Sequence, residues 1–119
     1  MNQDTLRIIE ACRQCAAAAS QCATAALVDR DASAKARCAQ LALDCAALCR
    51  LLVSTAQRQS PATALLRHAC EVLCEELAVE CEKFDTLYCR RCAVVCRYTA
   101  TACARGTEVG RIGDHPAVA

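Results

Sequence analysis

The chain has 119 residues, enough for one domain with a modest core, and its formal net charge of +1 offers neither nucleic acid nor an anionic membrane a global attractive field. Phe84, Tyr88 and Tyr98 are the only aromatic residues, so Ala and Cys supply much of the apolar content and each buried residue removes little surface from water. Thirteen cysteines, more than a tenth of the chain, lie far beyond ordinary usage.

No stretch reads as membrane-spanning. In the Ala-rich run 6–28, Arg7, Glu10, Arg13 and Gln14 interrupt any signal-peptide core, and Met1-Asn2-Gln3-Asp4 has no basic segment, so a cytoplasmic location is expected. Cytosolic thiols stay reduced, and a Cys-rich pattern there indicates metal rather than disulfides. The odd count of cysteines and the scarcity of loop formers, three Gly and two Pro, also argue against a disulfide framework.

Four helices follow in chain order. The first is expected from about Asp4 to about Val28, broken by Asp29-Arg30-Asp31. Asp31 or Ser33 then caps a second that runs to about Gln57. Ser60-Pro61 reads as N-cap and first helical residue of a third, ending near Lys83. Asp85 starts a fourth that ends near Arg105, with Gly106 as its stop. Short links imply antiparallel neighbours. The expected fold is therefore all-α, an antiparallel up-down-up-down four-helix bundle over residues 1–106, with a flexible C-terminal tail over 107–119.

The cysteines are spaced as mirror images about each proposed turn. Because two antiparallel helices rise equally per residue, such pairs share a height. Three levels result: Cys22, Cys38, Cys81 and Cys89; then Cys15, Cys45, Cys74 and Cys96; then Cys12, Cys49, Cys70 and Cys103. Cys92 falls between the first two levels, which lie about 10 Å apart along the axis. Within each helix the separations are 3, 4 or 7, which keeps the thiols on one face. Arg90, Arg91 and Arg97, and Glu71, Glu75, Glu76 and Glu82, take other faces.

Cysteine can serve as a small hydrophobe, but Ala or Val would fill thirteen core positions without redox risk. Thiolates are soft ligands for Cu(I), Zn(II) and iron–sulfur clusters. One Cu(I) per thiolate replaces the lost proton and leaves the buried charge unchanged, whereas Zn(II) on four thiolates leaves −2 in a core whose stripes carry no Lys. Cys45-x-x-x-Cys49, Cys70-x-x-x-Cys74 and Cys92-x-x-x-Cys96 set sulfurs one turn apart, and Cys12-x-x-Cys15 and Cys89-x-x-Cys92 are tighter versions. Zinc knuckles sit on turns, iron–sulfur motifs group Cys in loops, and a thioredoxin-like motif needs a βαβ unit. Multiple Cu(I) ions, on the order of one per Cys, is the capacity this predicts. Binding of other soft ions (zinc, cadmium, silver) for detoxification, and a thiol-redox role, are the competing readings.

His68 lies two residues before Cys70 and is expected off the stripe; His115 and Met1 sit near the termini, and Asp44 and the Glu residues read as solvated. No catalytic constellation stands out, so no enzymatic activity is expected.

Four Ala-rich helices that all carry Cys-x-x-x-Cys or seven-residue Cys spacing over residues 4–105 resemble the bacterial copper storage proteins. The resemblance implies a bundle that binds Cu(I) along its cysteine core, assembles as a homotetramer, belongs to the cytosolic type, and exchanges copper with a chaperone or efflux partner. Family members also carry His or Met near an open end. The corresponding end here is expected beyond Cys22, Cys38, Cys81 and Cys89, where Ala26 and Ala34 leave room, with Ile8, Ile9, Leu52 and Leu66 as an apolar plug opposite.

Overall fold

The structure, a computed structural model, describes residues 1–109, the side chains of 105–109 excepted. It is all-α: helices α1 (Gln3–Leu27), α2 (Ala36–Gln57), α3 (Thr63–Cys81) and α4 (Leu87–Val109). α1 packs on α2 and α4, and α3 packs on α2 and α4; across the α1–α3 diagonal the backbones stay apart and side chains meet on the axis, as Cys15 and Cys74 do at 3.8 Å. This is the cyclic order of an up-down-up-down bundle with short links.

Local chemistry sets the helix ends. The Asn2 side chain caps α1 by accepting the Thr5 N–H at 2.8 Å. After α1 the Asp29 carboxylate captures the Asp31 N–H at 2.8 Å, an Asx turn. Residues 31–35 therefore form turns, and α2 starts at Ala36, later than an Asp31 or Ser33 cap would place it. α2 closes in a Schellman motif: the Gln59 N–H bonds the Ala56 carbonyl and the Ser60 N–H bonds that of Thr55. Gln59 takes the left-handed position, φ 54°, that glycine usually fills. Ser60 is not the N-cap expected of it: its hydroxyl accepts the Ala62 N–H within a turn, Ala62 holds the cap position, and α3 begins at Thr63. α4 begins at Leu87, with the Thr86 carbonyl receiving the Arg90 N–H. Gly106 does not stop α4, which continues to Val109, so the proposed tail begins inside this helix; residues 110–119 lie outside the described ones.

The core repeats small residues at helical spacing. α1 contributes Ile8, Cys12, Cys15, Ala19 and Cys22, and α2 contributes Cys38, Ala42, Cys45, Cys49 and Leu52. α3 adds Cys70, Cys74, Leu77 and Cys81, and α4 adds Cys89, Cys92, Cys96 and Cys103. By register, Ala19, Ala42, Leu77 and Cys92 form the layer between the first two cysteine levels. Thr99 is also buried, and its hydroxyl bonds the carbonyls of Val95 (2.9 Å) and Ala11 (3.3 Å), fastening α4 to α1. α2, contrary to the sequence reading, is long and apolar enough to span a bilayer by composition, with a mean hydropathy of 1.4; 44% of that window is buried inside the bundle. Its hydropathy comes from the Ala and Cys of its core face and from leucines on both sides of it, Leu52 buried and Leu43 and Leu51 exposed.

Candidate metal centre

All thirteen cysteines are buried, none more than 1% exposed, and they form no disulfide. The helix stripes bring them to the bundle axis. One level is realised as expected: Cys22, Cys38, Cys81 and Cys89, one from each helix, have sulfurs within 4.8 Å of one another. Cys38 and Cys81 are closest at 3.6 Å, with Cys22 at 3.9 Å from Cys38 and 4.0 Å from Cys81. We call this the outer ring.

The second and third levels are not separate. Cys15, Cys45 and Cys74 form a triangle with sides of 3.7 to 3.8 Å, and Cys96 joins through Cys15 at 3.9 Å. Cys49, expected one level down, lies within 4.8 Å of all three triangle sulfurs and also 3.6 Å from Cys70. Cys70 in turn lies 3.9 Å from Cys74 and groups with Cys12 and Cys103. The reason is geometric. On α1, α2 and α3 these two levels are only three or four residues apart, about 5 to 6 Å of rise, and a side chain leaning by one bond closes that gap; on α4, Cys96 and Cys103 are seven apart. Cys92 occupies the larger gap as expected, 3.9 Å from Cys96, and it bears on the ionisation of both Cys22 and Cys81.

The result is one network of sulfurs along the axis. The separations exceed a disulfide bond of about 2.05 Å. They suit thiolates sharing a metal: with metal–sulfur bonds of about 2.3 Å, two sulfurs across a linear ion stand roughly 4.6 Å apart and across a trigonal ion roughly 4.0 Å. Burial raises the pKa of Cys89, and the Cys22–Cys38 contact pushes Cys22 down and Cys38 up. A thiolate formed in a ring thus accepts hydrogen bonds from neighbouring thiols.

Sequence reasoning missed what covers the outer ring. Ala26 is buried there, but Ala34 is exposed, and the ring is capped by Lys35, only 5% exposed. Lys35 Nζ lies 2.9 Å from Asp29 Oδ2, which also accepts the Tyr88 hydroxyl at 2.7 Å. The ammonium stands 5.3 Å from the centre of the Phe84 ring and 5.6 Å from that of Tyr88, cation–π distances. Asp29 raises the pKa of Lys35 and keeps it protonated. The Asp31 N–H, the Tyr88 hydroxyl and Lys35 together hold Asp29 well below the usual carboxylate range. Burial, then Asp29, pushes Tyr88 up to about 12. The stripes carry no lysine, as read, yet one sits one turn before Cys38 and lowers the cost of a charge on Cys89.

At the opposite end Ile8 and Leu52 are buried in the core and Leu66 packs against it, giving the expected apolar plug; Ile9 is buried too, outside that core cluster. His68 is exposed, 3.9 Å from Glu71, and Met1 is exposed. His115 lies outside the described residues. Asp44 is exposed, whereas Glu80, read as solvated, is buried beneath Lys83 (2.9 Å) and Arg37 (3.3 Å). Its burial arises because Glu80 precedes Cys81 at the α2–α3 seam, where Arg37 reaches across.

Fold and site together define a class: a four-helix bundle whose interior is a column of soft metal ligands. The chain belongs to the copper storage protein family (Csp), which matches residues 1–108. It is 33% identical over 93 residues, 78% of this chain and 86% of the other, to the uncharacterized cysteine-rich protein YhjQ of Bacillus subtilis (strain 168). Among solved structures it resembles the Cu(I)-bound copper storage protein BsCsp3, with a TM-score of 0.82 and 32% identity over 87% of this chain and 97% of that one. It also resembles a cytosolic copper storage protein from Streptomyces lividans loaded with five coppers, with a TM-score of 0.83 and 28% identity over 87% and 91% of the two chains.

Proposed function

We propose that this chain stores Cu(I), with the thirteen core thiols as its ligands. The observation that carries the reading is the sulfur network, whose neighbours stand 3.6 to 4.0 Å apart, with no other cluster of metal-ligating side chains among the described residues. Each ion displaces one thiol proton, which leaves to solvent, so filling the column adds no net charge to an apolar core. Bridging thiolates let adjacent ions share ligands, which favours many ions over one site. The helices form without metal, because neutral thiols pack as small hydrophobes; the store is preformed, unlike a zinc finger.

The proposal extends to a cytoplasmic homotetramer that does no catalysis and exchanges copper with a thiol-bearing chaperone or efflux protein. Light scattering that returned a monomer would remove the tetramer alone. A thiol-redox role asks for an exposed, low-pKa cysteine, and every cysteine is buried.

One observation favours a second reading. The outer ring offers four sulfurs to a tetrahedral ion, and Lys35 stands beside it to offset part of the −2 charge of a zinc tetrathiolate. Competition separates the two. Reduced protein loaded with Zn(II) and then titrated with Cu(I) is expected to release all bound zinc, by a chromogenic zinc indicator, before copper saturates. Zinc retained against excess Cu(I) would make the outer ring a zinc site and sink its place in the copper column.

A further inference from the structure

The cap on the outer ring is built differently from the plug at the other end. Ile8, Leu52 and Leu66 are apolar and held on helices. The cap is made of side chains from the two turns that meet at this end: Asp29 and Lys35 from the α1–α2 link, Phe84 from the α3–α4 link, and Tyr88 from the first turn of α4. Lys35 lies one turn before Cys38, and Phe84 follows Cys81 by three residues with its N–H on the Cys81 carbonyl, so both stand directly over ring members.

We propose that Lys35, Asp29, Tyr88 and Phe84 form a latch over the outer ring, and that copper passes in and out of the column only when Lys35 swings away. The closed state is stable because the ammonium has a carboxylate at 2.9 Å and two aromatic faces. Opening needs no helix to move. Lysine has a flexible four-carbon stem and a strongly hydrated head, and the partner carboxylate is 17% exposed, so water can take over both charges as the pair parts. The aromatic rings then remain as the rim of an opening whose floor is Cys22, Cys38, Cys81 and Cys89. The latch governs the rate of exchange and leaves capacity alone, since Lys35, Asp29, Tyr88 and Phe84 supply no sulfur.

This inference rests on the copper reading, so its test has a readout that needs no copper. Wild type, Lys35→Ala, Lys35→Met and Leu66→Ala are compared in the reduced, full-length protein. Cu(I) transfer from a chromogenic chelator is followed by stopped flow, and iodoacetamide labelling of the metal-free protein is followed by mass spectrometry. Lys35→Ala is expected to speed both transfer and labelling by roughly tenfold, with copper capacity unchanged and the outer-ring cysteines labelled before Cys12, Cys70 and Cys103. Lys35→Met retains the stem without the ion pair and is expected to fall between. Leu66→Ala, at the sealed end, is expected to leave both rates within about twofold of wild type. Unchanged rates in Lys35→Ala, or labelling that starts at Cys12, Cys70 and Cys103, would overturn the latch. Faster labelling without copper uptake in any variant would keep the latch and remove the copper reading.

Discussion

Replacing Cys15, Cys45 and Cys74 together by alanine is expected to lower the Cu(I) capacity by about three to five ions while the metal-free bundle stays helical. These three sulfurs form a close triangle at the centre of the column, and Cys49 and Cys96 both neighbour it. Their loss removes three ligands and strips neighbours from two more. Each substitution deletes a single sulfur atom, so the cavity cost per site is small, about 1 kcal/mol. Circular dichroism checks the fold and anaerobic titration the capacity. An unchanged capacity would mean that the central sulfurs bind nothing, and the cysteines would then be packing residues.

The second large effect concerns Leu77. It is fully buried in the layer where its register neighbours are Ala19, Ala42 and Cys92, and it is one of the few large side chains in the core. Leu77→Ala is expected to cost the metal-free protein about 2 to 5 kcal/mol, measured by denaturant unfolding under reducing conditions. That is a large share of the roughly 5 to 15 kcal/mol available to an ordinary domain. The preformed column offers Cu(I) shared ligands that an unfolded chain does not hold together, so saturating Cu(I) is expected to raise the unfolding midpoint of wild type and variant alike. A Leu77→Ala protein as stable as wild type when metal-free would show that the layer collapses without loss.

Much of this architecture is written in the spacing of the cysteines. The outer ring was legible because seven residues separate it from the next level on α1, α2, α3 and α4, a gap too long for side chains to blur. Cys49 was misplaced for the opposite reason: a separation of one turn is comparable to the reach of a side chain, so register alone cannot assign a sulfur to one level. The cap was not legible. Lys35 sits in a turn, and its burial depends on Phe84 and Tyr88, about fifty residues away, whose approach follows from the pairing of α1 with α4 and not from any local pattern. Gly106 misled as a stop because glycine ends a helix only where the chain must turn, and nothing in the sequence requires α4 to turn there.

The stored ion and the preformed column are linked through charge. A neutral metal-free core takes up Cu(I) one proton at a time and remains neutral, which accounts for a column of buried thiols that has one lysine at its mouth and none along its length. The most direct measurement is an anaerobic titration of the fully reduced protein with Cu(I) against a chromogenic copper chelator. Tight uptake of about a dozen ions per chain is the predicted result. Saturation at one or two ions, or none, would contradict the account and leave a single zinc-like site as the better description.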